Sequence, residues 1–175
     1  LPLRNTVLFP HQVIPVYIGR EQSLQLIEDL PNEGKKTIVV VAQRDGSVEL
    51  PDESDLYEWG TLGVVMKVFD IPDKAKSAIV QGIGRVRIDK IVKDKPYFKG
   101  EVSRGRDFVE SKIELEALTK NLKGIYQKFI EIAPYLTEEQ ADGLLRIENP
   151  GKFADRAIAM MNIPTEEKQG VLECL

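Results

Sequence analysis

The hydrophobic period of this chain changes once, near residue 107, and no single type of packed element accommodates both patterns. Up to Val102 the apolar residues fall in short, β-branched runs broken by glycine and proline. These are Thr6–Phe9, Val13–Ile18, Thr37–Gln43 and Thr61–Phe69, then Ser77–Gln81, Val86–Val92 and Tyr97–Val102. Such runs predict six or seven strands. One helix interrupts them: it starts near Arg20, carries Leu24, Ile27 and Leu30 on one face, and stops at Pro31, Asn32 and Gly34. Most connections are too short for the dozen residues that a parallel crossover needs, so the pairing is expected to be mostly antiparallel, in a small curled or closed sheet.

After Asp107 the spacing of Leu115, Leu118, Leu122, Ile125, Phe129, Ile132 and Leu136 alternates between three and four, a continuous helical seam. In a multi-helix segment such a seam serves as bundle core, the alternative being a coiled-coil surface for a partner. Pro134 is expected to end or kink this helix near its close. Thr137 with Gln140 is a capping box for the next helix, which carries Leu144, Leu145 and Ile147. Asn149 before Pro150 caps a third, with Phe153, Ala157, Ile158 and Met161 inward. Thr165 caps a fourth, with Val171, Leu172 and Leu175. The expectation is an α+β chain: a β-rich subdomain over 1–107 with one helix near 20–30, then a helical bundle over 108–175. Residues 1–105 hold 15 basic and 15 acidic side chains and residues 106–175 hold 9 and 13, so the net charge of −4 comes entirely from the second part.

Chemistry is sparse. The single cysteine, Cys174, excludes an internal disulfide and has no cation cluster around it to stabilise a thiolate. With no Asn-x-Ser/Thr sequon and no apolar run long enough to span a bilayer, the chain is expected to be cytoplasmic, without a membrane partner. His11, the one histidine, sits beside Pro10 in a turn and has no second ligand for a metal site or partner for a triad. Asp45, Glu49, Asp52, Glu53, Asp55 and Glu58 form an acidic run without Lys or Arg, but lack the ordered alternation and glycine of a calcium loop. They read as a solvated connection. Gly82 and Gly84 begin like a nucleotide fingerprint, yet strand residues follow where the phosphate-binding helix belongs. No P-loop is present. The basic stretch Arg85, Arg87, Lys90, Lys93, Lys95, Lys99 and Arg104, interleaved with Tyr97 and Phe98, has a texture that suits RNA. Against that stand the acidic total, three interspersed acids and the ordinary use of lysine to protect sheet edges.

The opening Leu1-Pro2-Leu3-Arg4-Asn5-Thr6-Val7-Leu8-Phe9-Pro10, followed by Ile14-Pro15-Val16 and Gly19-Arg20-Glu21, resembles the amino-terminal domain of ATP-dependent Lon proteases. The same similarity runs through Val40-Val41-Ala42-Gln43-Arg44-Asp45, Asp55-Leu56-Tyr57 with Trp59-Gly60-Thr61, Arg85-Val86-Arg87 and Pro96-Tyr97. It continues in Asn149-Pro150, Ala154-Asp155, Lys168-Gln169 and Val171-Leu172-Glu173, and so covers essentially the whole chain. The resemblance implies a PUA-like β subdomain, a helical bundle, and a non-catalytic role. The chain begins at Leu1 without a methionine and ends within a helical pattern, so it is expected to be a piece of a longer protein. The family's ATPase motifs and serine–lysine dyad match nothing here, so ATP and Mg are expected only in the remainder of the protein. The implied partners are unfolded, damaged or degron-bearing proteins, with six copies in a ring. An RNA-binding module and a stand-alone protein-binding adaptor are the alternatives.

A binder of misfolded chains needs exposed apolar surface. The candidates are apolar residues at loop and element ends: Pro10, Pro15, Leu30 and Pro31, then Ile71 and Pro72, with Tyr57 and Trp59 beside the acidic loop. That loop is expected to add a preference for basic clients, which charge reversal at Asp52 and Asp55 would test.

Overall fold

A computed structural model describes residues 1–72, 74–133 and 137–174, with only the backbone of Glu138. The expectations for Pro134, Leu136 and Leu175 lie outside the described residues. The strands are β1 (Pro2–Leu3), β2 (Val13–Ile18), β3 (Thr37–Gln43), β4 (Leu56–Asp70), β5 (Lys76–Lys93) and β6 (Lys99–Arg104). The helices are α1 (Glu21–Glu28), α2 (Lys112–Ile132), α3 (Glu138–Leu145), α4 (Pro150–Met160) and α5 (Thr165–Glu173). The fold is mixed α+β, with an open six-stranded sheet in the order β1-β3-β4-β5-β2 and β6 paired to the far end of β5. All pairs are antiparallel except β1 with β3.

The chain divides into two compact units, residues 1–106 with 163–175, and residues 107–162. This corrects the expected helical subdomain over 108–175 at its end, because α5 belongs with the sheet. Gln169 Nε2 donates to the Trp59 carbonyl at 2.9 Å, and Arg85 Nε donates to the Leu172 carbonyl at 2.9 Å. The helix is therefore held by side chains that satisfy backbone carbonyls across the fold. It opens with Pro164 as its N-cap and has no side-chain cap, so Thr165 is its first residue and not the expected cap.

In the sheet unit, period two decides which residues go inward. Val16 and Ile18 of β2 are buried while Val13, Pro15 and Tyr17 are exposed. With Leu3, Ile27, Ile38, Val40 and Val80 they form the core. β4 and β5 pair from Trp59 with Arg87 to Asp70 with Lys76, and register shifts at Leu62/Gly63 and Val65/Lys67 bend the pair. Three strand expectations change. Ser77–Gln81 and Val86–Val92 are one strand, because Gly82 and Gly84 stay within the ladder and do not turn. Thr6–Phe9 is not a strand, although Val7, Leu8 and Phe9 are buried and the Leu8 carbonyl accepts a hydrogen bond from Thr61 Oγ1. Tyr97 and Phe98 precede β6 and lie outside it.

In the helical unit the capping chemistry is as read from sequence. Thr137 Oγ1 accepts from Gln140 N and Gln140 Oε1 accepts from Thr137 N, while Asn149 Oδ1 accepts from Lys152 N at 2.9 Å. Asn149→Ala is expected to destabilise the helical unit by about 1 kcal/mol in chemical denaturation, with Asn149→Ser close to wild type. An alanine variant as stable as wild type would show that Pro150 alone sets the start of α4.

Leu118, Leu122, Ile125 and Ile132 of the α2 seam lie outside the bundle core, whereas Phe129 of the same seam packs against it. The buried side of α2 is Tyr126, packed with Leu144, Phe153 and Ala157 and flanked by Phe129 and Ile130. Tyr126 meets Phe153 edge-on at 6.2 Å between centroids. On the same side Lys123 donates to the carbonyls of Leu145 and Ile147 and lies 5.2 Å from the Phe153 ring centre. This rotation leaves Leu118, Leu122, Ile125 and Ile132 exposed, with Ile113 ahead of them.

Candidate functional site

The hairpin joining β5 to β6 folds Tyr97 and Phe98 toward α1. Tyr97 Oη donates to Asp29 Oδ2 at 3.0 Å, and Gln25 Nε2 donates to Asp29 Oδ1 at 2.8 Å. These two hydrogen bonds, from Gln25 and from Tyr97, hold the Asp29 carboxyl below its usual range. Lys99 Nζ lies 4.8 Å from the Tyr97 ring centre. Between α1, β3 and the β5–β6 hairpin is a cavity of about 250 Å³. Its walls are chiefly apolar, including Leu26, Leu30, Ile38, Ile88, Ile91 and Val102. That is below the usual size of a cofactor pocket and suits one or two apolar side chains.

The acidic loop beyond it is built by its own carboxylates. Asp52 accepts from Ser54 N and Oγ, and Asp55 accepts from Asp52 N. Asp45 likewise accepts from Ser47 N and Oγ. The hydroxyl and amide donors hold both Asp45 and Asp52 below the usual carboxylate range. Asp52 and Asp55 are thus turn-forming residues, and charge reversal there would break the loop it was meant to probe. Among the described residues no group of three or more His, Cys, Asp or Glu is placed to hold a metal ion.

Of the candidates read from sequence, Leu30 lines the apolar cavity. Pro10 is buried, unlike the exposed position expected of it, because the turn it occupies is pinned where His11 N donates to the Gly82 carbonyl. Pro15 is exposed on β2 and lines a second cavity, together with Arg4 and Arg20. Pro31 and Pro72 are exposed and Ile71 is half-buried, each at a helix or strand end. Tyr57 is half-buried with the Arg44 guanidinium 4.7 Å from its ring centre, and the carbonyl of half-buried Trp59 holds α5. The structure does not bring these eight together. Of the residues that converge with Leu30, Leu26 lies in the expected helix without standing out there, while Ile88, Ile91, Phe98 and Val102 carried a strand or RNA signal in the sequence.

The basic stretch is dispersed. Arg85 serves α5, Arg87 pairs with Glu58 at 3.0 Å, and the two aromatics point into the cavity wall. His11 is exposed in its turn with a φ of 63°, and Cys174 is exposed with its thiol donating to the Gly170 carbonyl. No helix among the described residues is long and apolar enough to cross a membrane.

Comparison with known proteins gives one consistent answer. The family model for the ATP-dependent protease La (LON) substrate-binding domain matches residues 1–175. The Lon protease of Koribacter versatilis is 39% identical over 175 residues, covering 99% of this chain and 21% of that protein. Lon protease 2 of Myxococcus xanthus is 38% identical over 174 residues, with 99% and 21% covered. The chain therefore spans about a fifth of the length of these relatives. The fold is that of a Lon N-terminal domain protein from Xanthomonas campestris, with a TM-score of 0.52 at 21% identity over 92% of this chain and 96% of that one. The N-terminal domain of Mycobacterium avium complex Lon protease is also similar, with a TM-score of 0.53 at 17% identity over 92% and 97%.

Proposed function

This chain belongs to the LON substrate-binding domain family, and from that membership we propose that it recognises and tethers unfolded, damaged or degron-bearing proteins for an ATP-dependent protease. In this reading the chain itself is non-catalytic. Nucleotide and Mg binding, ATP hydrolysis and serine–lysine peptide cleavage belong to the rest of a longer, cytoplasmic protein. The observation that carries the reading is the family match over all 175 residues. What supports it physically is the apolar surface that both units present: the cavity beside Leu30 and Phe98, and the α2 face of Leu118, Leu122 and Ile125.

Exposed hydrophobic segments are what distinguish an unfolded client from a native one, and a binder reads them by offering apolar area in return. Each contact is weak. In a ring of six copies, a client held by one domain meets the next at high effective concentration, so weak contacts multiply.

An amide NMR titration of the chain tests the proposal. A permanently unfolded polypeptide is expected to shift resonances around Leu30 and Phe98 and along Leu118 to Ile125, while a folded control protein leaves them in place. Absence of shifts with the unfolded chain, or equal shifts with the folded control, would overturn it. Shifts produced only by single-stranded RNA, confined to residues 85–104, would replace it with the RNA-binding reading.

A further inference from the structure

The apolar cavity neighbours a charged one and shares lining residues with it. Phe98 lines both, and it also lines a third, much smaller cavity together with Pro51. Ile91 is a second shared wall. The charged cavity measures about 660 Å³, and three acids, Asp52, Glu53 and Asp94, line it against one base, Lys93. Asp52 is committed to its turn, but the Glu53 and Asp94 carboxylates enter no hydrogen bond or ion pair among the described residues. Side by side, the two cavities form a candidate groove with an apolar end, a shared aromatic wall at Phe98 and an anionic end, all within the sheet unit.

We propose that this groove binds an extended segment of a protein substrate in which an apolar side chain is flanked by lysine or arginine. The proposal rests on the substrate-binding reading and assigns it a place and a sequence preference. The apolar side chain enters between Leu30, Ile38 and Ile91. The flanking cation passes the Phe98 ring, whose face attracts positive charge, and reaches Glu53 and Asp94. An acidic flank would meet like charges and a neutral one would gain nothing. Apolar burial alone has no directional preference, so the charged end also fixes which way a client lies.

Fluorescence anisotropy on the 175-residue chain tests this with three labelled short peptides that share a Leu-Phe centre and differ in flanks of Lys, Ser or Glu. A reduced, carboxymethylated unfolded protein serves as a fourth ligand. The Lys-flanked peptide is expected to bind about fivefold tighter than the Ser-flanked one at low salt, with the gap narrowing as salt rises. Glu53→Gln with Asp94→Asn, two side chains that make no structural bond, should close that gap and leave the Ser-flanked peptide unchanged. Phe98→Ser should weaken all three peptides. Equal affinity for the three flanks, or a preference that survives the double variant, would overturn the proposal. Binding of the unfolded protein that is indifferent to all of these variants would overturn the groove and leave the wider reading standing. If neither that protein nor any peptide binds, both fall.

Discussion

Phe153→Ala is expected to cost about 3–5 kcal/mol and to abolish amide protection across residues 107–162. Phe153 is fully buried, and the core it anchors is small: Tyr126, Leu144 and Ala157 are its buried neighbours. Removing the ring deletes the edge-on contact with Tyr126 and uncovers the Lys123 ammonium, which lies over the ring while it caps the carbonyls of Leu145 and Ile147. So few side chains have little freedom to collapse into the space. Chemical denaturation read by hydrogen exchange checks this, and a loss below about 1 kcal/mol would mean that α2 and α4 close over the cavity. Phe153→Leu should recover much of the difference.

The second large effect is expected at Gly82. A Cβ there would stand 2.2 Å from the Phe9 carbonyl oxygen and 3.2 Å from Thr61 Cγ2. Neither β5 nor the turn after Phe9 can yield cheaply, because Gly82 N donates to the Gln12 carbonyl at 2.8 Å and its own carbonyl accepts from His11 N at 2.9 Å. Gly82→Ala should therefore destabilise the sheet unit by about 1–3 kcal/mol or more, as overpacking against backbone does. Gly84, two residues along the same strand, has nothing within 4 Å of its would-be Cβ. Gly84→Ala is the matched control and should be neutral or slightly stabilising in the same thermal unfolding experiment. Equal losses at both positions would show that strand flexibility, and not the close approach of Phe9, is what the first glycine supplies.

This pair of glycines shows where sequence reading stops. Their spacing suggested a phosphate loop or a break between strands, whereas Gly82 is required by a backbone some seventy residues earlier that no local pattern reveals. What was legible depended on neighbours in the chain: the change of period near 107, the Thr137–Gln140 box and the Asn149–Pro150 cap. The register of α2 was not, because two of its faces are apolar and Phe153 on another helix selects the one holding Tyr126. A lysine on that selected face disguised it further. In the sequence Tyr97 and Phe98 read as part of a hairpin strand, with base stacking as the alternative, whereas Asp29, 68 residues away, holds them ahead of the strand and against α1. Membership of the family was readable from end to end in short motifs. The groove was not, since Leu30 was its one wall that stood out as a helix end.

The return of α5 to the sheet bears on how such a chain is made. All six strands leave the ribosome before the helical unit and α5 follows it, yet α5 carries the Leu172 carbonyl for Arg85 and the Gln169 amide for Trp59. The nascent sheet must therefore wait through the synthesis of residues 107–162 before those two bonds can form, and a product that stops short of Ile163 would hold every strand without its closing helix. The piece that can be excised with uninterrupted chain is the inserted helical unit. A separate sheet unit would need residues 1–106 joined directly to 163–175.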